Sequence, residues 1–451
     1  MTDTTLGAQQ IGVQQTGLLD ASPMTRAQIA VVCVAVLLAA LDGYDVLAMA
    51  FAAPALRHAW HLDKAVLGLL LSTSLMGMAL GSIVLSPFAD VTGRKPMVFG
   101  GVALMTLGSL LSALSHSVPE LAACRVLTGV GIGVMVPLTT TLAAEFASAK
   151  ARAFAVAATT VGFAGGSVFG GLIAAVLLKQ YAWSAVFVSG AVVGVILLPV
   201  VAFGLPESPS FLITRRKSDA LARLNGVLAR LGRPALATLP DGRPAKRASY
   251  AALFTPALIT MTLTYAACMV LVSTATYYLL NWLPQLIADA GFSPSQGAMV
   301  SAVPSLAGMV SGLIWGLAGN RFGPARLAPF AMVGLGCMMI AFGFTPPVLG
   351  LLVLAAAVTG VFAGGCPALF YATMTATLPP LSRVTGMGFV IGMGRVFSVA
   401  GPLLAGWMFA AGLTRSGVSL IFAFAPILAG LLLFIVTRPR PAPADLAVGA
   451  A

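Results

Sequence analysis

Long apolar runs separated by short polar breaks dominate this chain, and the runs have the length needed to cross a lipid bilayer. Six lie at about residues 27–56, 65–89, 96–115, 120–146, 152–178 and 182–204. Six more follow at about 254–283, 295–320, 327–343, 348–378, 384–410 and 416–437. About 20 apolar residues in a helix span a hydrocarbon core, and in lipid every backbone polar group must be satisfied within the segment. The pattern therefore predicts an all-α membrane protein with 12 transmembrane helices in two six-helix halves, 27–204 and 253–437. The long polar stretch between them, 205–252, reads as a linker loop, and 1–26 and 438–451 read as polar tails.

The two halves repeat. Gly81–Lys95 (GSIVLSPFADVTGRK) aligns with Ser311–Ala325 (SGLIWGLAGNRFGPA), pairing Asp90 with Asn320 and Gly93 with Gly323. Arg152 precedes Gly170 by the same 18 residues that separate Arg383 from Gly401. A parallel duplication of six spans around a midplane site is the design expected for alternating access.

Composition agrees: 451 residues, 59% hydrophobic and only 8% charged, with 49 glycines that allow close helix approach in lipid. The net charge of +12 is a topology signal and a lipid-headgroup contact, not a nucleic-acid patch. With the N-terminus in the cytoplasm, 19 of the 25 Lys/Arg fall on that side, nine of them in 205–252. Arg57, Lys64, Lys179 and Arg415 fall outside, and Arg125 and Arg395 lie within spans. The five cysteines all sit in apolar runs and read as small core residues. His58, His61 and His116 are too scattered for a metal. With no nucleophile–base pair in a plausible pocket, no catalysis, metal or cofactor is expected.

Charges at membrane depth are expensive, so they point to function. Asp42 and Asp45 stand three residues apart in the first span, on one helical face, and are expected to look into one shared space. Two like charges that close cannot both stay ionised cheaply, so one should hold a proton. Asp45, nearer the outer exit, is the favoured carrier. Asp42 lies about 21 Å along its span at 1.5 Å per residue, and Arg125 about 8 Å below the outer end of the fourth. These matching depths make Arg125 a counter-ion for the pair, a second candidate beside Arg395 for the substrate site, or part of a structural ion pair. Arg395, about 17 Å into the eleventh span, lies at the midplane, where a guanidinium fork suits a substrate carboxylate or a partner on another span, the first-span acids included. Tyr277, Tyr278 and Asn281 on the seventh span, with Phe370 and Tyr371 on the tenth, are candidates for an aromatic slot. Glu145, at the inner end of the fourth span near Lys150 and Arg152, suggests gating or structure.

The loop Pro87–Lys95, with Asp90, Gly93, Arg94 and Lys95 in place, resembles the signature loop of the major facilitator superfamily. It departs at Ser86 and Val91, where glycine and a basic residue are usual, and Asn320 replaces the expected second-half acid. Leu205–Leu212 (LPESPSFL) is similar to the motif that follows the sixth span in many members. Within the superfamily, Asp42-Gly43-Tyr44-Asp45 resembles the first-span signature of the aromatic acid:H⁺ symporters (4-hydroxybenzoate and benzoate permeases). Arg125 through Gly133 with Pro137 and Glu145, Asn281–Pro284, and Gly392–Arg395 with Gly401-Pro402 are similar to that family too. The resemblance implies proton-driven uptake of a benzoate-like acid across a bacterial inner membrane, with Asp90, Gly93 and Arg94 in a gating loop; a monomer is expected, although the sequence itself is silent on oligomeric state. Two other readings remain: a proton-driven efflux antiporter for amphipathic compounds, or a transporter-like sensor of aromatic acids. The fifth-span stretch Gly165–Gly171 lacks the proline more usual in antiporters, and 205–252 is short for a signalling domain.

Overall fold

The computed structural model describes residue 19 and residues 23–215, 219–240, 250–256 and 258–437. Twelve of its helices are long and apolar enough to cross a membrane. They are α1 (Arg26–Trp60), α2 (Lys64–Thr92), α3 (Arg94–Ala113), α4 (Val118–Phe146), α5 (Arg152–Leu177) and α6 (Ser184–Gly204) in the first half. The second half holds α7 (Ile259–Asp289), α8 (Pro294–Phe322), α9 (Pro324–Phe344), α10 (Leu349–Thr377), α11 (Thr385–Ala410) and α12 (Arg415–Thr437). Several helices outrun their apolar runs. Hydropathy marks the part inside hydrocarbon, whereas caps mark the ends: Thr25 and Gln28 close a capping box on α1, and the helix stops at His61 in the left-handed region. The linker contains two short helices, Pro209–Arg215 and Ala220–Arg230. Arg216, Lys217, Arg243, Lys246 and Arg247, most of 1–26 and all of 438–451 lie outside the described residues.

Packing reproduces the duplication. α1 lies on α5 as α7 lies on α11, and α2 lies on α4 as α8 lies on α10; α3 and α9 each bridge the corresponding fourth and sixth helices. The turns after α2 and α8 end on Gly93 and Gly323, at φ 112° and 88°, where a side chain would be strained. The halves meet through α2 against α11 and α5 against α8, with α1 facing α7.

Small residues make these seams tight, because in lipid packing rather than water exclusion drives helices together. A Cβ on Gly77 would lie 2.1 Å from the Val126 carbonyl oxygen, and one on Gly129 would lie 2.1 Å from that of Ser74. At the end opposite the chain termini, a Cβ on Gly68 of α2 would lie 2.7 Å from Cα of Gly406 on α11. Ser72 there donates to the Val399 carbonyl at 3.1 Å, and Ser295 to that of Ala175 at 2.6 Å. Asp289 of the second half pairs with Arg57 at 3.1 Å and Lys64 at 2.8 Å of the first. The halves are thus sealed at that end.

Candidate functional site

Below the seal lies a cavity of about 400 Å³ lined by both halves. Asp42 of α1 faces it from one side and Arg395 of α11 from the other, with Tyr277 of α7 and Tyr371 of α10 beside Arg395. Phe163, Phe370, Met78 and Met269 supply much of the apolar wall, and Thr139, Thr140, Thr159 and Thr160 carry the lining toward the termini. A cavity of this size, mostly apolar with a few convergent polar groups, suits a small organic ligand.

Arg395 lies on α11 one turn before Val399, where the helical hydrogen-bond ladder is interrupted for one residue while the backbone stays helical at φ −56°, ψ −37°. Arg395 also reaches across the halves to Ser82 Oγ at 3.3 Å, and its charge acts on Asp42, Tyr277 and Tyr371. Ser82 lies in the π-helical turn Gly81–Leu85 of α2 and itself donates to the Gly133 carbonyl at 3.0 Å. Asp42 is 1% exposed, and its Oδ1 has no hydrogen-bond partner among the described residues.

The expected shared space of the two acids divides. Three residues on a helix subtend about 60° around its axis, enough to send the two side chains to different compartments. Asp45 turns into the first-half bundle, where it accepts from Ser109 Oγ at 3.1 Å. Arg125, expected at the substrate site, also lies inside that bundle, fully buried and outside the cavity lining. It donates through Nε to Ser112 Oγ at 3.0 Å, and through one terminal nitrogen to Ser109 Oγ at 3.0 Å and Thr128 Oγ1 at 2.7 Å. Phe187 covers it, 4.6 Å from guanidinium carbon to ring centre. Tyr44 turns toward α6 with Asp45: its hydroxyl lies 2.6 Å from Ser189 Oγ, and a Cβ on Gly190 would lie 2.9 Å from the Tyr44 ring and 3.0 Å from Asp45 Oδ1.

Of the seventh-span candidates only Tyr277 reaches the cavity. Asn281, one turn on toward the seal, is fully buried and donates to the Tyr277 carbonyl at 2.9 Å. Tyr278 stacks on Phe422 with ring centres 4.3 Å apart and shares a hydrogen bond with Ser419 at 3.0 Å. Both support the second-half bundle instead.

A separate cluster forms at the termini end of the first half. Arg94 links Asp90 at 2.9 Å with Glu145 at 3.3 Å. Glu207, which sequence reasoning left unassigned, caps α3 by accepting from the backbone of Arg94 at 2.8 Å and Lys95 at 3.3 Å. Ser208 donates to Glu145 at 2.5 Å. The Leu205–Leu212 motif flagged this segment, but not its bond to the loop. Ser109, Ser112 and Thr128 join the site from the structure, and their signal in the sequence is two serines three residues apart inside a span that also faces an arginine-bearing span.

Comparison with known proteins fits this arrangement. The family description "Major Facilitator Superfamily" matches residues 33–286 and 265–450. The chain is 32% identical to the 4-hydroxybenzoate transporter PcaK of Pseudomonas putida, covering 86% of this chain and 87% of that protein. It is 30% identical to the gallate transporter of Pseudomonas putida, covering 90% of each. Among solved structures it resembles the xylose transporter XylE from E. coli at TM-score 0.70 and 16% identity, covering 92% of this chain and 100% of that one.

Proposed function

The chain belongs to the Major Facilitator Superfamily and is a membrane transporter, and we propose that it imports an aromatic carboxylate together with protons. In this reading it works as a monomer by alternating access across a bacterial inner membrane, with both termini in the cytoplasm. The distribution of Lys/Arg supports the orientation. The names of its relatives, transporters of 4-hydroxybenzoate and gallate, support the substrate class.

One observation carries the proposal: an acid and a cation on opposite halves share one mostly apolar cavity with two phenols. Arg395 offers the substrate carboxylate a planar fork of donors, and Tyr277, Tyr371 and Phe370 offer faces and edges to a ring. Without substrate, Arg395 compensates the charge of Asp42. Once the substrate's carboxylate takes the guanidinium, a bare Asp42 carboxylate would stand in a low-dielectric site, and a proton removes that cost. Proton and substrate thereby favour each other's binding, and by linkage the effect is reciprocal. The loaded cavity is neutral overall, as a site that must cross the membrane's low-dielectric region requires.

Proteoliposomes given labelled 4-hydroxybenzoate test this directly. Accumulation above equilibrium is expected when the outside is acid and should vanish with a proton ionophore. Accumulation indifferent to the gradient, or extrusion driven by it, would sink the proposal.

A further inference from the structure

Arg57 and Lys64 on Asp289, Ser72 on Val399 and Ser295 on Ala175 join the halves at the sealed end. Arg395 joins them again at the depth of the central cavity, where its Nη1 donates to Ser82 Oγ at 3.3 Å. α2 and α11 run antiparallel between these levels. From Ser72 to Ser82 is ten residues of α2, about 15 Å, whereas from Val399 to Arg395 is four residues of α11, about 6 Å. The arginine side chain makes up the difference by reaching toward the amino end of its own helix, the direction in which helical side chains lean. It is stretched from one half to the other.

Ser82 is built to accept. Its own proton goes to the Gly133 carbonyl at 3.0 Å, which leaves a lone pair of Oγ for a donor. Ser86, further along the same helix, donates to that carbonyl too, at 3.3 Å. A Cβ on Gly133 would lie 2.2 Å from the Met78 carbonyl oxygen and 2.7 Å from the Ser82 nitrogen, so α4 presses directly on this part of α2. The turn that carries Ser82, Gly81–Leu85, is π-helical, a geometry frequent at functional sites. The hydroxyl is thus fixed to the first half and offered to the second.

Arg395 makes no other side-chain hydrogen bond among the described residues. A guanidinium has five N–H donors and gives a carboxylate two of them along one edge, so a bond from Nη1 to Ser82 leaves Nε and Nη2 for a ligand. We propose that Ser82 is a positioning residue: it orders the Arg395 fork before the substrate's carboxylate arrives, and does so only in the state sealed at the end opposite the termini. The hold joins α2 to α11, so it depends on the spacing that the sealed halves give these two helices. When the halves part at the seal they turn against each other, the bond is lost, and the arginine regains rotamer freedom that a bound carboxylate must remove again. Substrate therefore binds the sealed state more tightly, and by linkage substrate favours sealing. The inference rests on Arg395 being the substrate's anchor, as argued above for the central cavity.

Full-length protein in lipid nanodiscs, titrated with 4-hydroxybenzoate by calorimetry, tests it. Ordering one long side chain in advance is worth roughly 3- to 10-fold in affinity, so Ser82→Ala should weaken binding by that factor with an unchanged melting temperature. Ser82→Thr, which keeps the hydroxyl, should restore it. Spin labels at His116 and Val348, exposed on opposite halves at the sealed end and introduced after replacing the five cysteines, report the seal. Substrate should shift their distances toward the shorter population in wild type, and less so in Ser82→Ala at saturating ligand. Wild-type affinity in Ser82→Ala, while Arg395→Ala binds weakly, would overturn the inference. So would weaker binding that comes with a lowered melting temperature or that Ser82→Thr fails to restore, since either marks a merely structural hydroxyl. Failure of the central reading looks different: Arg395→Ala would then bind as tightly as wild type.

Discussion

Asp45 and Arg125 are joined through one hydroxyl, Ser109 Oγ, which donates to the carboxylate at 3.1 Å and accepts from the guanidinium at 3.0 Å. Ser112 donates to the Gly108 carbonyl and Thr128 to that of Cys124, so each keeps its oxygen free to accept from Arg125. Among the described residues the acid whose charge acts on Arg125 is Asp45, and that is not the acid at the cavity. Asp42 instead faces Arg395, which is the relationship a coupled proton and anion need.

The two acids should respond differently to neutralisation. Asp42→Asn fixes a neutral group at the cavity, so concentrative uptake should be lost while counterflow exchange of substrate survives, since exchange needs no net proton movement. Asp45→Asn leaves Arg125 as an uncompensated buried charge, and breaking a buried pair typically costs about 3–5 kcal/mol. Its signature should be low yield and a lowered melting temperature, with exchange and uptake lost together. The reverse assignment, or concentrative uptake surviving in both variants, would move the proton site elsewhere, Glu145 being the next acid to test.

Arg395 is the cation of the central site, and removing a desolvated partner of a carboxylate costs about 2–5 kcal/mol. Arg395→Ala should weaken 4-hydroxybenzoate binding roughly 30- to 4,000-fold. Arg395→Lys should recover little, because the planar fork is lost. Calorimetry showing wild-type affinity in Arg395→Ala would remove this residue from the binding site.

Much of this was legible in sequence. Apolar runs gave twelve spans, and Gly93 with Gly323 marked the repeat that structure returns as two positive-φ turns. Asp42 and Arg395 were conspicuous because charge at membrane depth is costly. Residue spacing gives the height of a side chain in the membrane but not which neighbour its helix face meets. Arg125 and Asn281 have suitable heights, yet both turn into bundle interiors. The division of Asp42 from Asp45 is likewise a matter of about 60° around α1. Serine and threonine in spans are harder still, since each can satisfy itself on a carbonyl one turn back, as Thr106 does on Val102.

The α2–α3 loop is held from the linker as much as from within. Glu207 neutralises the amino end of α3, and a Cβ on Gly93 would meet its Oε2 at 2.5 Å, at a φ that itself disfavours a side chain. Gly93→Ala should lower thermal stability by about 1–3 kcal/mol. Glu207→Gln and Asp90→Asn should each slow turnover while leaving equilibrium binding within a few-fold, because neither touches the cavity. Unchanged uptake rates in both would take the loop out of the transport cycle.

Orientation can be read by labelling. Cysteine in place of Thr214, exposed on the linker helix Pro209–Arg215, should resist an impermeant thiol reagent in intact cells and react in inverted vesicles. The opposite pattern would invert the proposed topology.

The seam between α1 and α5 gives a test with its own control. Gly43, between the two acids, backs onto Phe163, where an added Cβ would lie 1.9 Å from the carbonyl oxygen. Gly166 backs onto Ala40, where a Cβ would fall 1.8 Å from that carbonyl oxygen. Ser167 then pins the contact by donating to the Gly43 carbonyl at 2.9 Å. A methyl at Gly166 meets backbone, which cannot rotate away, so the helices must part. Overpacking of this kind typically costs about 1–3 kcal/mol. Parting them also displaces the α1 segment that carries Asp42 at the cavity and Asp45 at Ser109. Gly165, the adjacent residue, has no atom within 4 Å of where its Cβ would stand. Gly166→Ala should therefore lower both the melting temperature and concentrative uptake, whereas Gly165→Ala should change neither. Equal behaviour of the two variants would mean that the close approach of α1 and α5 holds neither the fold nor the two acids of α1 in place.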